Sequence, residues 1–170
     1  DSYFGMRKIA IDVDEHGRKR IFLNNKPLFQ SGLLDQGYYH DGLLTPSSDK
    51  AYVDDIMFAK KLGFNMLRKH IKIESPRWYY HCDRLGMLVW QDFVNGGGQY
   101  PFLTTVIPVI LKKQIKDNQY KKFGRENSAG RAQFLAEAAQ TINLLYNAPS
   151  IVLWTIFNEG WGQFDALKTL

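Results

Sequence analysis

Residues 151–165, IVLWTIFNEGWGQFD, constrain the fold more than any other stretch of the chain. From Ile151 to Phe157 no charge interrupts the run, which is framed by Pro149 and Gly160. That length and framing predict a strand buried on both faces, as in a parallel sheet. The run stops abruptly at Asn158-Glu159-Gly160-Trp161. A carboxylate at the tip of a buried strand is costly unless water or chemistry employs it. In parallel α/β folds the C-terminal tips of strands are where sites are built. The alternative is that Glu159 merely opens a polar loop.

The chain before this stretch divides in two. Residues 3–13 alternate, with Ile9, Ile11 and Val13 on one side, which predicts a half-exposed antiparallel strand closed by a turn at Asp14-Glu15-His16-Gly17. A second strand, Arg20–Leu23, runs into the turn residues Asn24-Asn25-Lys26-Pro27. Residues 1–27 are therefore expected to be the end of a preceding β domain plus a hairpin.

From residue 28 a strand–helix rhythm begins. Strands are expected at Phe29–Leu34, Phe64–Leu67, Met87–Trp90 and Ile151–Phe157. A helix capped by Ser48 or Asp49 carries the apolar stripe Tyr52, Ile56, Ala59 and Leu62 and is stopped by Gly63. Ser75-Pro76 opens another, with Trp78, Cys82 and Leu85 turned inward and Gly86 ending it. A third runs from about Ser128 to Tyr146 with Leu135, Ala138, Ile142 and Leu145 on one face, and a fourth begins near Phe164. Alternation of this kind implies right-handed crossovers and a parallel sheet.

Between the third strand and the third helix lies a long connection, Val94 to about Asn127, which predicts a functional lid or a partly structured insertion. Its aromatic residues, Tyr100 and Phe102 among them, are expected near the mouth of any site. Gly96-Gly97-Gly98 lacks the downstream Lys-Ser/Thr of a phosphate cradle. The net charge of +5 is accounted for here: Lys112, Lys113, Lys116, Lys121, Lys122, Arg125 and Arg131 face only Asp117 and Glu126. No nucleic-acid motif accompanies these residues, so a solvated face is expected rather than a nucleic-acid partner. No apolar run is long enough to span a membrane. The single Cys82 excludes an internal disulfide.

Each predicted strand ends in polar residues: Asp35 and Gln36, Arg68 and His70, Gln91 and Asp92, Asn158 and Glu159. Polar tips gathered at one edge are how a (β/α)8 barrel assembles a site, and a whole barrel takes roughly 250 residues. Four strands are half of one. Carboxylates, Arg, His, Asn and Trp together suit carbohydrate chemistry, while serine-hydrolase and zinc signatures are missing.

The segment GFNMLRKHIKIESPRWYYHCDRLGMLVWQD, residues 63–92, together with IVLWTIFNEGWGQFD resembles the first half of the catalytic TIM barrel of glycoside hydrolase family 2. That family includes β-galactosidases, β-glucuronidases and β-mannosidases. The opening YFGMRKI is similar to the last strand of the immunoglobulin-like domain that precedes the barrel there. The resemblance implies a fragment of a retaining β-glycosidase, galactosidase-like, with residues 28–170 as the N-terminal half of the barrel. Glu159 matches the general acid/base, Asn158 the residue that holds the sugar 2-hydroxyl, and Arg68 the arginine that orients the site's carboxylates. As an acid, Glu159 would need a pKa raised by desolvation and a nearby like charge.

The nucleophile would lie on the seventh strand, outside this chain, so the isolated chain is expected to be inactive. Where the family often shows Arg-x-x-His this chain has Ile71, and His70 stands one residue early. His70, Asp35, Trp90, Asp92 and Trp161 are candidate substrate-binding residues, with strand-end packing or ion pairing as the alternative. No match to the metal-binding residues of some galactosidases is visible, so neither metal nor cofactor is expected. The expected partners are a carbohydrate, the remainder of the polypeptide and a second copy joined through exposed strand edges. The rival reading is a non-catalytic carbohydrate-binding or scaffold domain on the same fold. Secretion or a bacterial periplasm is the expectation for such hydrolases, although the sequence does not fix the compartment.

Overall fold

A computed structural model of the chain describes residues 3–112 and 114–169; Lys113 of the basic run and Leu170 lie outside the described residues. Two sheets form. Strands β1 (Ile9–Val13), β2 (Lys19–Leu23) and β3 (Lys26–Pro27) make a small antiparallel sheet in the order β1-β2-β3. Strands β4 (Gly32–Asp35), β5 (Met66–Lys69), β6 (Leu88–Asp92) and β7 (Ile151–Thr155) make a four-stranded parallel sheet in sequential order. The helices are α1 (Asp49–Lys61), α2 (Pro76–Leu85), α3 (Phe102–Leu111), α4 (Ser128–Leu145) and the short α5 (Ala166–Thr169).

Local chemistry explains the boundaries. Ser75 Oγ accepts from the Arg77 amide and Pro76 takes the first helical position, where its missing N–H costs nothing. Gly86 ends α2 at φ 67°, a left-handed conformation that most side chains resist. At α4, Asn127 Oδ1 accepts from the amides of Ala129 and Gly130. The long connection is partly structured: it contains α3 and a 3₁₀ turn at Tyr120–Phe123.

The core lies between the parallel sheet and its helices. Tyr52 and Ile56 of α1 and Trp78, Tyr79 and Cys82 of α2 pack with Leu67 and Val89, all essentially shielded from water. Burying a large apolar side chain of this kind contributes about 1.5–3 kcal/mol. Period-2 alternation sorts each strand into two faces. Leu67, Lys69, Val89 and Gln91 turn toward the helices and are buried; Leu34, Arg68 and Trp90 turn the other way and remain partly or largely open.

Several expectations are corrected. Strand β7 was expected to be buried on both faces, yet only Ile151 is buried and residues 152–155 are half-buried. It forms an edge of the sheet. Leu62 is 57% exposed because α1 has ended at Lys61. Leu135 and Ile142 of α4 are also exposed, and Phe134 and Leu145 are the buried residues of that helix. The first strand begins at Ile9 rather than residue 3, and β4 begins at Gly32, leaving Phe29 exposed. The N-terminal sheet does not extend the parallel one. It is tied to the start of β7 by Arg7, whose guanidinium donates to the carbonyls of Pro149 (2.5 Å) and Ile151 (2.7 Å).

Candidate active site

The polar strand tips do meet, but on two different faces. On the open face Arg68 is the hub. Its Nε and Nη2 donate to the two carboxylate oxygens of Asp92, each at 3.0 Å, and Nη2 also donates to Asn158 Oδ1 at 2.6 Å. Asp92 is wholly buried and Asn158 is 6% exposed. Register explains the meeting: Arg68 pairs with Trp90 across β5–β6, so its side chain shares a face with Trp90 and with Asp92 two residues on. A bidentate arginine–carboxylate fork is the most directional ion pair that side chains can make. It fixes the amide of Asn158, and with it the start of the loop that carries Glu159.

On the helix-facing side Asp35 is paired with Lys69 across β4–β5. Lys69 Nζ lies 2.9 Å from Asp35 and 3.1 Å from Glu74, and 4.1 Å above the ring of Trp78. Asp35 Oδ1 accepts from the Gly37 amide at 2.8 Å. Lys72 adds contacts to Glu74 (2.9 Å) and to the carbonyls of Gly37 and Leu44. Asp35 thus stands in a buried charge network and not beside Arg68. Gln91 is also turned inward, accepting from the hydroxyl of Tyr79 at 2.5 Å.

The remaining predicted residues are more open. His70 Nδ1 meets Gln36 Nε2 at 3.2 Å. Gln36, Tyr38, His70, Ile71, Lys72 and Val94 border an open cleft of about 590 Å³ at the tips of β4 and β5. Trp90 donates its indole N–H to Gln30, which precedes β4. Trp161 donates to Glu159 Oε2 at 3.2 Å and packs on the ring of Tyr100, centroids 4.6 Å apart.

Glu159 itself is exposed, in a 3₁₀ turn over Asn158–Gly160, with φ 53°. A non-glycine residue in the left-handed region costs about 1–2 kcal/mol, and such strain persists only where the surroundings over-determine it. The surroundings come from the long connection, as expected of Tyr100, whose hydroxyl donates to the Gly160 carbonyl. Burial pushes the Tyr100 phenol above its ordinary pKa, against the hydrogen bonds to the backbone of Gly162 and Gln163, so the group stays a donor at neutral pH. Phe102, by contrast, is 77% exposed. Gly162 and Gly97 allow close backbone packing: a Cβ on Gly162 would fall 2.0 Å from the Gly96 carbonyl oxygen, and one on Gly97 would fall 2.7 Å from that of Gly124.

Sequence reasoning overlooked Lys69, Asn95 and Arg125. The buried Lys69 was legible only as the residue after Arg68. Arg125 looked like one charge in a basic run. Among the described residues no three His, Cys, Asp or Glu side chains stand close enough to hold a metal ion.

Known proteins share the family and the fold. Residues 15–170 match the family model described as glycosyl hydrolases family 2, TIM barrel domain. A mannosylglycoprotein endo-β-mannosidase of Lilium longiflorum is 34% identical over 92% of the chain, and a β-galactosidase of Leuconostoc mesenteroides 29% over 94%. The chain spans 15% and 13% of those two relatives. Among solved structures, a GH2 β-galacturonidase from Eisenbergiella tayi bound to galacturonate superposes with a TM-score of 0.70 at 22% identity, over 91% of this chain and 23% of that one. A Parabacteroides merdae β-glucuronidase gives a TM-score of 0.67 at 18% identity, over 97% of this chain and 18% of that one. At those identities the likeness concerns the fold, a parallel sheet with its strand tips on one side; the match over residues 15–170 goes further, and the chain belongs to glycosyl hydrolase family 2, within its TIM barrel domain.

Proposed function

We propose that residues 28–170 are the first half of the catalytic barrel of a retaining β-glycosidase, galactosidase-like, and that residues 1–27 end a preceding β domain. The observation that carries this reading is the Arg68–Asp92–Asn158 network, which anchors the loop bearing Glu159 at the tips of parallel strands. In this reading Glu159 protonates the glycosidic oxygen as the bond breaks. A carboxylate on a later strand, beyond these residues, attacks the anomeric carbon. Glu159 then takes a proton from the water that releases the sugar. Asn158 holds the 2-hydroxyl, and Arg68 orients both Asn158 and Asp92. His70, Trp90, Trp161 and Asp35 complete the proposed substrate-binding set, Asp35 acting through the Lys69 network beneath the cleft.

The test uses 4-nitrophenyl β-galactoside, β-mannoside and β-glucuronide with the full-length protein. At least one is expected to be cleaved, with the β-configured sugar as the first product by proton NMR. Retention needs two carboxylates about 5–5.5 Å apart, so the 170-residue chain alone is expected to cleave none. The exposed edges of β4 and β7 should also make that chain self-associate in light scattering. An α-configured first product, or hydrolysis by the monomeric chain alone, would overturn the reading.

A further inference from the structure

The turn that presents Glu159 is held from outside as well as by its own bonds. Glu159, Gly160 and Gly162 all have positive φ, at 53°, 73° and 62°. Within the turn, Trp161 N reaches Asn158 O at 2.9 Å, Gln163 N reaches Gly160 O at 3.1 Å and Gly160 N reaches Phe157 O at a long 3.4 Å. Further bonds to the backbone after Glu159 come from the connection between β6 and α4. Tyr100 hydroxyl donates to the Gly160 carbonyl (2.7 Å) and accepts from the Gly162 amide (2.6 Å). Asn95 Nδ2 donates to the Trp161 carbonyl (2.6 Å). Arg125 Nε donates to the Gly162 carbonyl (2.7 Å).

Arg125 is the costly member. It is 8% exposed, and no carboxylate pairs with it among the described residues. Burial pulls its guanidinium below the ordinary value. Its Nη2 is buried without a hydrogen-bond partner among the described residues. The guanidinium is instead stacked on Phe134 and Phe164, 5.0 and 5.4 Å from their centroids. A buried, uncompensated charge is expensive. What the fold obtains in exchange is one rigid donor aimed at the loop.

We propose that Asn95, Tyr100 and Arg125 are positioning residues that clamp the loop of Glu159, setting the angle at which its carboxylate meets the leaving-group oxygen. This rests on the acid/base reading of Glu159. Orientation of a proton donor matters steeply: misplacement by about 1 Å can cost about 100-fold in rate. In the first step it matters only where the leaving group needs the proton.

The variant is Tyr100→Phe in the full-length protein, which keeps the ring against Trp161 and removes both hydrogen bonds. Arg125→Lys, which keeps the charge and one donor, accompanies it, with Glu159→Gln as the reference. On an alkyl glycoside kcat/KM of Tyr100→Phe is expected to be about 10- to 100-fold lower, while on a 2,4-dinitrophenyl glycoside kcat/KM, which reports the first step alone, stays near the wild-type value. Arg125→Lys should lose less on the alkyl glycoside than a further variant, Arg125→Gln, which removes the charge. A variant that merely folds less well loses both substrates equally, and that outcome, or no loss at all, overturns the proposal. If Glu159→Gln shows no dependence on the leaving group, the acid/base reading is what fails. Hydrogen exchange at the Gly162 amide then decides the clamp alone: it should quicken in Tyr100→Phe, and unchanged exchange refutes it.

Discussion

Replacing Glu159 by glutamine in the full-length protein is expected to slow cleavage of glycosides with poor leaving groups by about 100- to 10,000-fold, the range for loss of a general acid. Glutamine is nearly isosteric and can still accept from the Trp161 indole, which now lies 3.2 Å from the carboxylate. The turn and the sugar contacts therefore survive, and KM for such substrates should change little. A dinitrophenyl glycoside needs no proton to depart, so its first step should be spared, and the loss moves to the second step, in which Glu159 would activate water. Accumulation of a glycosyl-enzyme with that substrate, seen by mass spectrometry of the quenched protein, is the sharper measurement. Wild-type turnover of both substrates by Glu159→Gln would remove Glu159 from the mechanism.

The site was legible in the sequence to the extent that chemistry and strand ends coincide. Asn158-Glu159 follows an uncharged run, and Arg68 and Asp92 close the strands expected before it, so three of the tips could be placed together before any geometry was known. What the pattern could not resolve was the side on which each tip residue falls. Side chains alternate along a strand, so a shift of one residue exchanges the site for the helix layer. Asp35 is in register with Lys69 rather than Arg68, and it sits in the buried network accordingly. The strand limits expected around Leu34 and Leu67 were too early by one or two residues, enough to hide that parity.

The clamp was illegible for a different reason. Asn95, Tyr100 and Arg125 lie between 37 and 66 residues before the groups they hold, in a stretch without periodicity. Only the length of the connection and the aromatic content near Tyr100 pointed toward the site. The apolar residues of α4 and β7 mark another limit. Hydrophobic patterning marks an apolar face without saying how far it is covered: Leu135 and Ile142 are exposed, and residues 152–155 are half-buried.

Loss of the Arg68 guanidinium is expected to have the largest effect on stability. Arg68→Met keeps the bulk of the stem but leaves the Asp92 carboxylate buried, with a single donor at 3.4 Å from the Ile71 amide in place of the fork. Breaking a buried ion pair from one side costs about 3–5 kcal/mol, a large share of the 5–15 kcal/mol by which domains are typically stable. Urea unfolding at matched protein concentration should show the midpoint falling by that amount divided by the slope. Arg68→Lys should lie between, since lysine keeps the charge but cannot span both oxygens. The double variant Arg68→Met with Asp92→Leu should recover much of the loss, because replacing both partners by apolar groups leaves no charge to strand. A loss under about 1 kcal/mol for Arg68→Met, the range of exposed pairs, would mean that the fork does not hold the strand tips. Recovery in the double variant carries a further consequence. If two apolar side chains fold as well as the ion pair, the fork is not needed for the fold, and what it contributes is the placement of Asn158 beside Glu159.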